Sequence, residues 1–365
     1  MAIIHVIIPC YKVEKTLEDA VFSVLNQPCR EIDIVLVDDG SPGETPELCD
    51  RLAQSDPRVH VIHKKTNSGS CDTRNTGIEY ALTNLVRSQR EFIAFLDSDD
   101  CWCPNVFDDQ TVDHLLTDWD EDIIAFSGIL GNHDLTRFSG KQSNLEVSGA
   151  EARSMIWQAQ TVTFAAKIYS VEIFSHWNVR FFPEYVYSED KYFMLMTFAL
   201  ARTVRFLSTP LYIYRKNRAG LMGSAHRIAA KDYYLPIIDG WLMCDEFLNG
   251  KSAQTNHVSD AGQTLAAIYL VEMVAEHVKR GGRFSEIMEV FRSHPHYPAT
   301  ESGELVRSNP REYPINRLLF EHPMRFVLKY RLVGSVEWTL RQLLRIPLVA
   351  QLYDRRRYPH TELPK

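Results

Sequence analysis

Along the first hundred positions, apolar residues fall into short β-branched runs separated by stretches where they recur every three or four residues. That alternation predicts βα units and a largely parallel sheet. Ile3 to Ile8 reads as a buried strand, and Glu14 to Asn26 as a helix with Leu17, Val21, Val24 and Leu25 on one face. Strands follow at Asp33 to Val37, Val59 to His63 and Phe92 to Leu96, with helices at Glu44 to Ala53 and from Gly69 through Asn84. A further strand is expected at Asp122 to Ser127, then a periodic segment around Thr161 to Tyr169, a helix capped by Ser188, and strands at Val204 to Leu207 and Leu211 to Tyr214. Beyond Gly223 the pattern turns helical, at Ile228 to Leu248 and Ala261 to Lys279, and ends in short proline-broken pieces. The reading is an α/β catalytic domain over residues 1–223 and a smaller helical region over 224–365.

Each predicted strand delivers a polar loop at its carboxyl end: Pro9 to Tyr11, Asp38 to Ser41, Asn67 to Gly69 and Asp97 to Asp100. Open α/β sheets bind ligands in the crevice beyond those ends. The run Leu96-Asp97-Ser98-Asp99-Asp100 concentrates carboxylates whose mutual repulsion a divalent cation would offset, unless it is simply a solvated turn. Mg²⁺ or Mn²⁺ uses one or two carboxylates together with phosphate oxygens, which suits a nucleotide diphosphate.

Composition narrows the classes. With 45% hydrophobic and 24% charged residues, the 365-residue chain has the make-up of a folded protein. A net charge of −7 argues against a nucleic-acid partner. Seven scattered cysteines fit reduced thiols in a cytoplasmic compartment better than a disulfide framework, and Cys101-x-Cys103 alone is a poor zinc site. No apolar run approaches the roughly 20 residues that cross a bilayer, and Pro9 interrupts the N-terminal run before it could serve as an export leader. From Arg325 to Arg357, however, basic residues dominate among aliphatic and aromatic ones, so this tail either lies on anionic lipid or packs on the protein.

Four segments, Ile7-Ile8-Pro9-Cys10-Tyr11, Val35-Leu36-Val37-Asp38-Asp39-Gly40-Ser41, Arg74-Asn75-Thr76-Gly77 and Phe95-Leu96-Asp97-Ser98-Asp99-Asp100, together resemble the family 2 glycosyltransferases. The resemblance implies the GT-A fold, a nucleotide-sugar donor, inversion at the anomeric carbon, and a bacterial surface polysaccharide as setting. It gives Pro9 and Tyr11 to the nucleobase, Asp39 to the uracil N3–H, Asn67, Arg74, Asp97 and Ser98 to the nucleotide, and Asp99 with Asp97 to Mg²⁺ or Mn²⁺. Asp38 would fix its loop, and Arg74 either contacts the nucleotide or pairs with a neighbouring carboxylate.

Tyr187-Ser188-Glu189-Asp190 resembles the family's downstream signature, which makes Asp190 the base and Glu189 a residue ordering the acceptor site. Trp102 is either an acceptor platform or buried under the adjoining helix. Arg215 and His226, with Lys216 and Arg218, are candidates for the diphosphate, and His226 also for the metal. The sequence departs from the family at Asp72, an acid that would alter how Arg74 is held. The acceptor implied is a glycan or lipid-linked glycan, met in the cytoplasm or at the cytoplasmic face of the membrane. Outside enzymes, a sugar-nucleotide sensor or glycan-binding scaffold with the same fold would keep these residues without turnover.

Overall fold

Strands buried on both faces read as unbroken apolar runs, and the first strand follows that rule: Val6, Ile7 and Ile8 are fully buried. The computed structural model describes residues 2–29, 31–85, 90–108, 121–130, 133–134, 145–148, 163–185, 187–215, 229–251, 261–293, 324–325 and 327–329. The chain alternates β1 (Ala2–Cys10), α1 (Leu17–Leu25), β2 (Ile32–Asp38), α2 (Thr45–Ser55), β3 (Val59–His63), α3 (Ser70–Thr83) and β4 (Arg90–Phe95). It continues through β5 (Cys101–Trp102), β6 (Ile123–Leu130), β7 (His133–Asp134), β8 (Leu145–Ser148), a 3₁₀ turn (Phe164–Ala166), β9 (Lys167–Ser170), α4 (Val171–Ser175), α5 (Glu189–Leu200) and β10 (Thr203–Tyr214).

The strands form one mixed sheet in the order β3-β2-β1-β4-β9-β6-β10-β5, with β7 on β6 and β8 on β10. β3, β2, β1 and β4 run parallel. β9 is antiparallel to both β4 and β6, so it enters the sheet at the edge where β4 leaves it. The two strands expected over 204–214 are a single strand. Its register to β6 shifts around Pro210, which has no N–H to give the ladder, so an irregularity takes up the missing bond.

Gly77 brings α3 onto β1. A Cβ there would stand 2.4 Å from Ile7 Cγ2, closer than packed atoms come, so the helix lies lower on the sheet than any side chain would allow. That close seat fixes the height of Arg74 and Asn75, one turn earlier. Gly40, at φ +63°, lets the loop after β2 approach the Thr66–Asn67 backbone, which would lie 2.8 Å from its Cβ.

The described chain divides into two compact units. The first comprises Met1–Gly223 and Met243–Ser259, the second Ser224–Leu242 and Asp260–Lys365. The second unit is helical where described, with α6 (Ala230–Asn249, of which residues from Met243 on belong to the first unit), α7 (Ala261–Lys279) and α8 (Phe284–Ser293). Leu270, Val271, Val274 and Val278 of α7 are buried, as are Ile287 and Met288 of α8, and the Trp241 and Tyr269 rings stack 6.3 Å apart. No helix among the described residues is long and apolar enough to cross a membrane.

Candidate active site

At the end of β1, Tyr11 is 41% exposed with Lys12 Nζ 5.0 Å from its ring centre, so it does not cap the core. Pro9 beside it is half-buried. Asp38 fixes its loop as expected, Oδ1 accepting from the Ser41 N–H at 3.0 Å and Oδ2 lying 3.0 Å from His63 Nδ1.

Asp39 is more committed than the sequence suggested. Its Oδ1 accepts from Lys64 Nζ at 2.7 Å and the Ser68 N–H at 3.0 Å, and its Oδ2 from the Gly69 N–H at 2.9 Å. Burial pushes its pKa up, but Lys64 and the two backbone N–H groups outweigh burial and hold it below the ordinary value. A nucleobase N3–H would therefore meet mainly Oδ2. Lys64 also donates to Asp72 at 2.7 Å, which corrects the expected link between Asp72 and Arg74: the extra acid balances Lys64 instead. Asn67, in the same loop, is exposed.

The carboxylate loop divides by burial. Asp100 is 1% exposed, accepting from the Tyr212 hydroxyl at 2.6 Å and the Arg215 N–H at 2.7 Å. Burial pushes it up to about 7 against those two bonds, with Asp97 and Asp99 adding to the rise. It is a rivet between the loop and β10. Ser98 is buried, while Asp97 and Asp99 are partly exposed. Among the described residues no group of three or more His, Cys, Asp or Glu is arranged to hold a metal. Two rim carboxylates are nonetheless the set that suits a hard cation completing its shell with diphosphate oxygens and water.

Arg74 joins this loop to α5. Its Nη2 donates to Asp97 Oδ1 at 2.8 Å, and its Nη1 lies 3.7 Å from Glu189 Oε1. The guanidinium sits 4.8 Å from the Phe164 ring and 5.3 Å from the Phe181 ring. The expected partnership of Arg74 with a neighbouring carboxylate is thus made. Glu189 and Asp190 occupy the first turn of α5, where the helix dipole favours anions. Ser188 is the N-cap, as expected, at φ +65°, but its hydroxyl makes no cap bond and its carbonyl closes the first turn. Burial pushes Glu189 up to about 7 despite Arg74. Asp190 is likewise raised by burial, with Lys191 and Arg74 opposing.

Lys167, at the start of β9, escaped the sequence reading. It is 1% exposed, donates to the Thr163 carbonyl at 2.8 Å, and is pushed down to about 7 by burial, while the Asp190 charge works the other way.

Two further candidates are already engaged within the protein. Trp102 is 2% exposed, packed 5.1 Å from the Phe107 ring with its backbone N–H on Ser23 of α1, so it is no platform for an acceptor. The Arg215 guanidinium pairs with Asp19 at 2.9 Å, while its backbone N–H donates to Asp100 of the carboxylate loop. His226, Lys216 and Arg218 lie outside the described residues.

Residues 5–177 match the family model "Glycosyl transferase family 2". The chain is 28% identical over 237 residues to the uncharacterized glycosyltransferase EpsJ of Bacillus subtilis, covering 63% of this chain and 66% of EpsJ. It is 27% identical over 233 residues to the glycosyltransferase GlyG of Streptococcus pneumoniae, covering 60% of this chain and 73% of GlyG. Residues 1–349 of S. aureus TarS, solved with UDP-GlcNAc, superpose with a TM-score of 0.58 at 19% identity, over 88% of this chain and 92% of that one. That likeness is one of fold, and the fold is the GT-A architecture with following helices that the sequence predicted.

Proposed function

Because residues 5–177 belong to glycosyl transferase family 2, we propose that this chain moves a hexose or hexosamine from a UDP-sugar to a hydroxyl of a glycan or lipid-linked glycan, with inversion. The observation that carries the proposal is the Arg74 guanidinium, bonded to Asp97 and ion-paired with Glu189. It ties the carboxylates suited to the donor diphosphate to those suited to the acceptor.

In the proposed reaction the acceptor hydroxyl attacks the anomeric carbon from the face opposite the diphosphate. Its proton passes to Asp190, and the bond from the anomeric carbon to the β-phosphate oxygen breaks to release UDP. The raised pKa of Asp190 brings it nearer the working pH, which favours a general base. Tyr11 would stack on the base, and Asp39 would accept from it through Oδ2. Asp99, with Asp97, would hold Mg²⁺ or Mn²⁺, which supplies positive charge against the leaving diphosphate. Support for a UDP-linked donor comes from the similar TarS domain, which was solved with UDP-GlcNAc.

Residues 1–223 are assigned the catalysis and 224–365 a helical accessory role. Peripheral contact of the basic tail with anionic lipid at the cytoplasmic face belongs to the same reading. The exposure of Met324 and Leu328 at its start supports it, while the stretch from residue 330 on lies outside the described residues.

The test is UDP release from a panel of UDP-sugars, with p-nitrophenyl glycosides as acceptors, with and without Mn²⁺. Metal-dependent release that acceptor accelerates is expected. Tight metal-dependent UDP binding without release across the panel would make the chain a sensor instead.

A further inference from the structure

Beside Arg74 on α3, Asn75 makes a reciprocal pair of hydrogen bonds with one residue 106 positions away. Its Nδ2 donates to the Phe181 carbonyl at 2.9 Å, and its Oδ1 accepts from the Phe181 N–H at 2.9 Å. The carboxamide thus serves Phe181 as a neighbouring strand would, satisfying both main-chain groups of a buried residue. One turn along α3, Glu79 pairs with Arg180 at 2.7 Å, but that carboxylate is 63% exposed and such pairs contribute little. Asn75 is the stronger tether.

What it tethers spans the site. The Phe181 ring stacks on Phe193 of α5 at 4.1 Å with the planes 1° apart, and meets Phe95 edge-on at 5.4 Å. Phe95 ends β4, two residues before Asp97, and Phe193 lies one turn after Glu189 and Asp190. The same ring lies 5.3 Å from the Arg74 guanidinium. Moving Phe181 therefore moves the first turn of α5 relative to Asp97.

We propose that Asn75 is a positioning residue: by docking Phe181 onto α3, it sets the distance between the donor-side carboxylate Asp97 and the acceptor-side carboxylates Glu189 and Asp190. The inference rests on the transferase reading above. Asn75 touches neither reacting partner in this account. Its effect is on the placement of the base, where an error of about 1 Å costs on the order of a hundredfold in rate.

The test uses the full chain with Asn75→Ala, which removes both bonds, and Asn75→Asp, which sets an oxygen against the Phe181 carbonyl. UDP affinity is measured by calorimetry in Mn²⁺. Transfer to p-nitrophenyl glycosides is measured alongside hydrolysis of the same UDP-sugar. UDP affinity and donor KM should stay within about twofold, while kcat for transfer falls roughly 10- to 100-fold, the range for a displaced base. Hydrolysis should fall less, because water can reach Asp190 from more directions than a bulky acceptor. The ratio of transfer to hydrolysis should drop about tenfold by the same argument, a signature that simple loss of folded protein would not produce.

Should both variants fail to fold, Phe181→Leu loosens the same segment at its ring contact and should give the same ratio. Unchanged partition in variants that fold overturns the positioning role and leaves the transferase reading intact. A wild-type chain that neither transfers nor hydrolyses sinks the transferase reading itself.

Discussion

Replacing Arg74 with methionine keeps most of the side-chain volume against Phe164 and Phe181 but removes a cation bonded to Asp97 and paired with Glu189. The Arg74 side chain is 6% exposed, so the loss is felt at low dielectric. Breaking such a buried pair from one side typically costs about 3–5 kcal/mol, because a desolvated charge is left behind. At roughly 2–4 °C per kcal/mol for a unit of this size, Tm should fall by about 6–20 °C. Arg74→Lys retains the charge without the planar fork and should fall in between.

The sharper measurement is a double-mutant cycle by urea unfolding. Asp97→Asn removes the orphaned charge, so Arg74→Met with Asp97→Asn should be more stable than Arg74→Met alone. The coupling energy should be at least about 1.5 kcal/mol, within the range for residues in one charged network. Additive effects, or an Arg74→Met midpoint within about 1 °C of wild type against the shift worked above, would refute the account of Arg74 as the tie between the two sets of carboxylates.

Asp190→Asn should leave UDP affinity nearly intact while lowering transfer by about a hundredfold or more, the contribution of a general base; transfer within tenfold of wild type rules it out as base. Asp99→Ala should weaken Mn²⁺-dependent UDP binding by calorimetry, and an unaltered metal dependence would remove Asp99 from the metal site. Glu189, pushed up to about 7, holds its proton in the folded state at pH values where the unfolded chain, near 4.5, has lost it. Its contribution to stability is therefore full below the unfolded pKa and is lost as pH rises through the folded one. Wild type should lose stability relative to Glu189→Gln by about 1.4 kcal/mol per pH unit over that window. Parallel stability curves for the two proteins would show that Glu189 titrates normally.

What could be read from the sequence was local. β1 through β4 and the helices between them announce themselves because parallel strands need continuous apolar runs and their helices a single apolar face. The loop role of Asp38 was legible too, since its partner Ser41 lies three residues on. The pairings that define the site are not local. Arg74 reaches Asp97 over 23 residues, Tyr212 reaches Asp100 over 112, and Asn75 reaches Phe181 over 106. No periodicity encodes them. Trp102 was ambiguous because a two-residue strand has no alternation from which to tell its buried face. Lys167 was invisible because a lysine inside a strand reads as an edge or surface residue, and only the sheet order shows β9 enclosed by β4 and β6.

The reversal of β9 has a consequence for the dielectric of the site. A strand running with its neighbours would have ended at the rim and supplied another polar loop. Running against them, β9 begins there, and what it brings is the fully or nearly buried turn Phe164-Ala165-Ala166. Arg74 and its partner Asp97 thus meet beside hydrocarbon, the guanidinium 4.8 Å from the Phe164 ring, where another loop would have offered dipoles and water. Added salt should screen their mutual attraction far less than it screens the Arg215–Asp19 pair at the surface, because ions cannot enter that floor. In the proposed transfer, negative charge building up beside the Arg74–Asp97 pair would meet a floor with little solvent to rearrange.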